Sequence, residues 1–146
     1  MLEKMKQLIR EHDTCVLATV GDDGRPHCAL MSYLAAEDSR RLYLLSGRST
    51  RKHRNMLANP RVSLLVDTRA SAGAAGLKEV YALVMDATFT PLSPGPQREE
   101  LTRRLLERHP HLAELAAHPE VELVAVTIGG LQLQEGPVRS HYAKLD

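Results

Sequence analysis

The chain is poor in aromatic residues: its 146 positions include no tryptophan, one phenylalanine and four tyrosines. Single-stranded nucleic acid is bound on stacking rings, so the scarcity weighs against that class, and neither a base-stacking platform nor an indole-lined pocket is proposed. Nineteen Lys and Arg stand against eighteen Asp and Glu, a formal charge of +1. No global field gathers DNA, RNA or an anionic membrane, and any anion site must be local. The two cysteines, Cys15 and Cys28, belong to no CxxC pair or Cys/His cluster, and the histidines are scattered, so no metal site is expected. Both thiols read as reduced, buried and structural. No apolar run approaches the roughly 18 to 20 residues of a helical membrane span. The opening charges Glu3, Lys4, Lys6, Arg10 and Glu11 leave no signal-like apolar stretch, so a cytoplasmic location is expected.

What is present suffices for one domain, residues 1–146, with a sizeable core. Leu2, Met5, Leu8, Ile9 and His12 at helical spacing predict an opening amphipathic helix. Cys15–Val20 and Pro26–Leu34 flank the turn residues Gly21-Asp-Asp-Gly24 and predict a hairpin. With Asp22 and Asp23 as the turn, Cys15 faces Leu30, and Cys15 and Cys28 share a face two positions apart. Leu42–Ser46, Arg61–Asp67, about 79–90 and Val121–Leu133 predict further strands, the last bent at Gly129-Gly130. Helices are expected near 50–58 and after Pro96, with His109 and His111 exposed where Pro110 interrupts. About six strands in hairpin order with short flanking helices predict an α+β fold, an antiparallel barrel rather than a parallel sheet. The small-residue stretch 69–76 and the polar tail 136–146 are expected to be mobile and to govern access to the site.

The segment Ser46-Gly-Arg-Ser-Thr-Arg-Lys-His-Arg-Asn55 carries the chemistry. A strand ends, a glycine turns the chain, and Ser49 or Thr50 caps a helix whose first turn holds Arg51, Lys52 and Arg54. Cations there oppose the helix dipole by about 0.3 to 1 kcal/mol each. The helix after Pro96 obeys the dipole, with Glu99 and Glu100 early and Arg103, Arg104 and Arg108 late. The violation at 51–54 therefore points to a bound phosphate, held by hydroxyls, free N–H groups and cationic side chains.

Cys15–His27, Leu42–Ser46, Ser49-Thr-Arg-Lys52 and Asn59-Pro-Arg-Val-Ser-Leu-Leu65, in this order, resemble the pyridoxamine 5'-phosphate oxidase-like FMN-binding split-barrel family. The resemblance implies an antiparallel split β-barrel and noncovalent FMN. Thr50, Arg51 and Lys52 match the positions that hold the FMN phosphate, with Ser49 and Arg48 beside them. Leu45 and Ser46 match the strand end beside the ring and ribityl chain, and Ala29, Leu30 and Met31 match the strand whose backbone faces the flavin. It further implies a homodimer with the flavin at the subunit interface and an oxidoreductase acting on an unidentified small molecule. No catalytic acid or base is singled out. The match does not extend to the substrate-recognising end of the oxidase: Arg139-Ser-His141 imitates its Arg-x-His pair, but no Trp is present. Pyridoxamine phosphate itself is therefore not implied. Alternatives are a haem-binding or haem-degrading protein with His141 as axial ligand, a deazaflavin in place of FMN, and a nonenzymatic flavin binder.

Overall fold

The computed structural model describes residues 1–69 and 80–145. Eight strands are ordered within these: β1 (Thr14–Val20), β2 (Pro26–Ser32), β3 (Leu34–Ala35), β4 (Arg41–Gly47), β5 (Arg61–Asp67), β6 (Tyr81–Pro91), β7 (Val121–Glu135) and β8 (Arg139–Lys144). They form one antiparallel sheet in the order β2-β1-β5-β6-β7-β4-β3, with β8 against β7. Four α-helices accompany it: α1 (Leu2–Glu11), α2 (Arg51–Ala58), α3 (Pro96–Arg108) and α4 (Ala113–Ala116). This is the expected α+β split barrel, with two strands more than the six anticipated.

The first additional strand arises at Tyr33. The apolar run from Ala29 to Leu34 reads as one strand, yet Tyr33 leaves β2 by donating its N–H to Asp13 O (2.9 Å) and its buried hydroxyl to Ile9 O (2.6 Å). After it the chain pairs with β4 instead of β1. His109, expected at the surface, is buried and holds the Tyr33 carbonyl through Nε2 at 2.9 Å. The second additional strand is β8, which falls within the tail expected to be mobile. Its six residues pair with Gly130–Glu135, and their polar character reflects an exposed edge. The expectation for 69–76 falls, beyond Arg69, outside the described residues.

The β1–β2 register differs from expectation by one residue. Five residues, Gly21–Arg25, connect Val20 to Pro26, and Gly24 takes φ 77°, a left-handed value that favours glycine. Cys15 consequently faces Met31, and Cys28 faces Ala18. A one-residue slip exchanges the two faces, so Cys15 is buried while Cys28 is exposed on the opposite face. Burial pushes the Cys15 thiol up to about 12, leaving it protonated and inert.

Two cores follow from the curl. Met5, Leu8 and Ile9 of α1 plug the barrel against Leu17, Leu42, Leu44, Leu64, Met85 and Leu133. On the outside of β4, Tyr43 and Leu45 pack under Leu101 and Leu105 of α3. Strand β4 is thus buried on both faces and reads as a continuous apolar run. Strand β7 serves β4 with its first half and β8 with its second. The bend expected at Gly129-Gly130 is a bulge: Asp86 pairs with Gly130, Ala87 with Ile128, and Gly129 is the extra residue.

Helix α2 is pinned to β1 by Asn55, whose buried Nδ2 donates to Thr19 Oγ1 at 3.0 Å. A Cβ at Gly21 would lie 2.7 Å from Asn55 Oδ1. Gly21→Ala is therefore expected to displace Asn55 and leave a buried polar group without its partner, destabilising the protein by about 1 to 3 kcal/mol in urea denaturation. An unchanged midpoint would show that Asn55 moves aside freely.

Candidate functional site

A cleft of about 440 Å³ opens between the edge strand β2 and the α4 segment, within the roughly 300 to 1,000 Å³ usual for ligand sites. One wall is Leu30, Met31 and Ser32. The opposite wall is Leu112, Leu115 and His118, and Leu45, Gly47, Ser49, Thr50, Lys52, Glu120 and Val121 complete the lining. Because β4 delivers Leu45 and Gly47 and α2 starts four residues later, the end of a strand and the start of a helix meet at one end of the cleft.

Thr50 is the N-cap. Its Oγ1 accepts from His53 N (3.3 Å) and donates to Gly47 O (2.7 Å). The bond from Arg54 N to Thr50 O (3.1 Å) begins the helical ladder, so the N–H groups of Arg51 and Lys52 precede it, as at any helix start. No acidic residue occupies this first turn, whereas α3 carries Glu99 in its first turn and Arg108 in its last. Lys52 lines the cleft, half-buried, with no carboxylate or hydrogen-bond partner among the described residues.

The other expected site residues divide. Leu30, Met31, Leu45, Ser49, Thr50 and Lys52 come together in the cleft. Ala29, Ser46, Arg48 and Arg51 are not among its lining. Ala29 pairs with Leu17 on β1. Ser46 is buried with Oγ 2.9 Å from His53 Nδ1, so its side chain serves the helix packing. Arg48 donates its backbone N–H to Glu120 O (2.9 Å) and Nη2 to Pro119 O (3.1 Å), and Nη1 lies 3.9 Å from Glu122. Arg51 is exposed at the first position of α2. The α4 wall and Glu120 were not anticipated. They lie about seventy residues from the basic segment, and the only signal was the short apolar pattern Leu112, Leu115.

Behind the cleft, His53 is buried against Phe89, ring centroids 6.0 Å apart, with Nε2 3.7 Å from Glu122 Oε1. Arg98 of α3 reaches the same carboxylate at 3.6 Å. Burial holds the His53 imidazole below its ordinary range, Glu122 opposing and Arg48 and Lys52 reinforcing. Burial alone lowers the Lys52 ammonium. An anion held by this ammonium is therefore released as pH rises through the lowered Lys52 value, before the usual lysine range. Titrating a phosphorylated ligand between pH 7 and 10 checks this. Release confined to the ordinary lysine range, or none, would contradict it. Among the described residues no group of three His, Cys, Asp or Glu is placed to hold a metal ion, and no helix is long and apolar enough to cross a membrane.

Similar proteins agree on the fold. The chain resembles the haem binding protein of Mycobacterium smegmatis (TM-score 0.83, 14% identity, 97% of this chain) and spans 57% of that longer chain. It resembles an FAD-binding protein of Mesorhizobium loti (TM-score 0.75, 18% identity, 99% of this chain and 95% of that one). A putative pyridoxamine 5'-phosphate oxidase of Listeria innocua gives a TM-score of 0.67 at 18% identity, covering 91% of this chain and 95% of that one. No curated protein sequence matches the chain. The sequence profile described as pyridoxamine 5'-phosphate oxidase matches residues 1–135; with the antiparallel split barrel and the strand-to-helix cleft, this places the chain in the pyridoxamine 5'-phosphate oxidase family.

Proposed function

We propose that this protein binds FMN noncovalently and acts as a flavin-dependent oxidoreductase on a small molecule. The observation that carries the reading is the half-buried Lys52 at the head of α2, unpartnered among the described residues and in one cleft with the β2 edge and Leu45. These residues fit a phosphorylated flavin: Lys52, the N–H groups of Arg51 and Lys52 and the Ser49 hydroxyl suit the phosphate. Arg51 adds charge from outside the cleft. Leu30, Met31 and Leu45 suit an apolar ring, and the backbone of 29–31 offers edge-strand hydrogen-bonding groups. Bound flavin supplies the electron or hydride chemistry; the chain anchors, orients and shields it.

The cleft is open on the β2 side, where Leu30 is 78% exposed. Leu30 pairs with Val16, Val16 with Leu65 and Leu65 with Val84, an apolar row across the outer sheet face. This exposed apolar row suits cover by a second copy and supports a homodimer with flavin at the interface.

Haem asks for an imidazole nitrogen free to bind iron in the cleft. His118, the histidine of the lining, accepts the Glu120 N–H at Nδ1 (3.2 Å), which engages that ring nitrogen within the loop. His141 lies on β8 opposite Leu133, 3.7 Å from Glu135, and is not part of the lining. The donor set thus favours flavin.

Titration with FMN and riboflavin, followed by flavin fluorescence and absorption, tests the reading. FMN should bind at least tenfold more tightly, since a charged hydrogen bond contributes about 1.5 to 3 kcal/mol. Equal affinity would remove the phosphate from the site. An intense Soret band on haem addition, with no flavin uptake, would overturn the reading outright.

A further inference from the structure

Glu120 is out of place in an anion site. It lies in the cleft lining beside Ser49 and Thr50, and its Oε2 accepts the Ser49 hydroxyl at 2.8 Å. Nearby Glu122 is surrounded by Arg48, Arg98 and His53, but Glu120 makes no ion pair among the described residues. The loop that carries it is clasped to the basic segment through its backbone: Arg48 N to Glu120 O and Arg48 Nη2 to Pro119 O, with Gly47 paired to Val121. The carboxylate is therefore held where an anion bound by Lys52 must approach it.

We propose that Glu120 is a charge-selectivity residue of the cleft: it occupies the Ser49 hydroxyl and repels a doubly charged phosphate, restraining affinity for phosphate-monoester ligands relative to uncharged analogues. The inference rests on the phosphate-anchored reading above. Two effects act in the same direction. A phosphate must take the Ser49 hydroxyl from a charged acceptor, which is a stronger partner than a neutral one. The dianion must also settle within a few ångströms of an unneutralised like charge. Riboflavin, which carries no phosphate, meets neither.

The substitution Glu120→Gln separates charge from shape, because the amide oxygen can still accept from Ser49 and the backbone clasp is untouched. FMN should bind the variant about two- to fivefold more tightly than the native protein, as expected for removing one like charge at an exposed site. Riboflavin should bind both proteins alike. Inorganic phosphate, followed through the backbone amide signals of Thr50, Arg51 and Lys52, should show the same strengthening independently of any flavin. Thermal denaturation of both proteins confirms that the fold is retained, and Glu120→Ala serves should the glutamine variant be unstable.

Unchanged or weakened FMN binding in the folded variant would overturn the proposal. So would equal tightening of riboflavin, which would assign the effect to loop rearrangement. If neither protein takes up flavin but phosphate binds the variant more tightly, the FMN reading fails and the role of Glu120 stands. If phosphate perturbs these amides in neither protein, the role of Glu120 fails.

Discussion

Replacing Lys52 with alanine is expected to reduce FMN affinity by about 1.5 to 3 kcal/mol, roughly 10- to 150-fold, the range for a charged hydrogen bond, and to leave riboflavin binding unchanged. The free protein should not become less stable. Burial disfavours the charged form of Lys52, no partner among the described residues offsets it, and removing it relieves a penalty present at neutral pH. A residue whose loss weakens ligand binding while sparing stability acts through the ligand. Calorimetric binding and denaturant unfolding of the same sample check both halves. A fall in stability without loss of FMN affinity would make Lys52 a structural residue and displace the phosphate from the head of α2.

The second large effect belongs to Leu30. Its side chain is 78% exposed in the isolated chain, so Leu30→Asp should leave the folding of each chain intact. In a dimer covering the apolar row, the same carboxylate is buried without a counterion, costing several kcal/mol. The variant should sediment as a monomer where the native protein is expected to sediment as a dimer, and flavin should be lost with the dimer. The native protein should show the reverse linkage, with FMN at a hundredfold excess over its Kd raising stability by about 2.7 kcal/mol. A native monomer that retains FMN would place the cofactor within one chain and remove the second subunit from the site, and a dimeric Leu30→Asp would move the interface away from this row.

Much of this arrangement was legible locally. The α1 spacing placed Met5, Leu8 and Ile9 in the core, Arg61–Asp67 formed the strand its pattern requires, and Thr50 caps α2 as a threonine before a basic helix should. The misses share a physical origin. The β1–β2 register depended on whether the turn used two residues or five, which periodicity does not decide. The break at Tyr33 depended on Ile9 O and Asp13 O, acceptors on another element. Strand β8 is an edge whose partner is β7, so its polar composition resembled a loose tail. The cleft was legible on one side only. Its strand-to-helix side is a contiguous motif, while His118 and Glu120 enter through tertiary pairing that no local signal announces.

The double duty of β7 also imposes an order on assembly. Arg41 pairs with Thr127 and Gly47 with Val121, so β4 waits for a partner made much later in synthesis, whereas the β1–β2 hairpin and α2 depend on nearby residues. Pairing across such separations is slow because loop closure precedes any reward. Until β7 emerges, β4 and β6 present open edges liable to pair with other chains, and the Glu120 side of the cleft does not exist. Nascent chains shorter than about Glu135 should accordingly be vulnerable to aggregation, and ligand loading should wait until β7 has emerged.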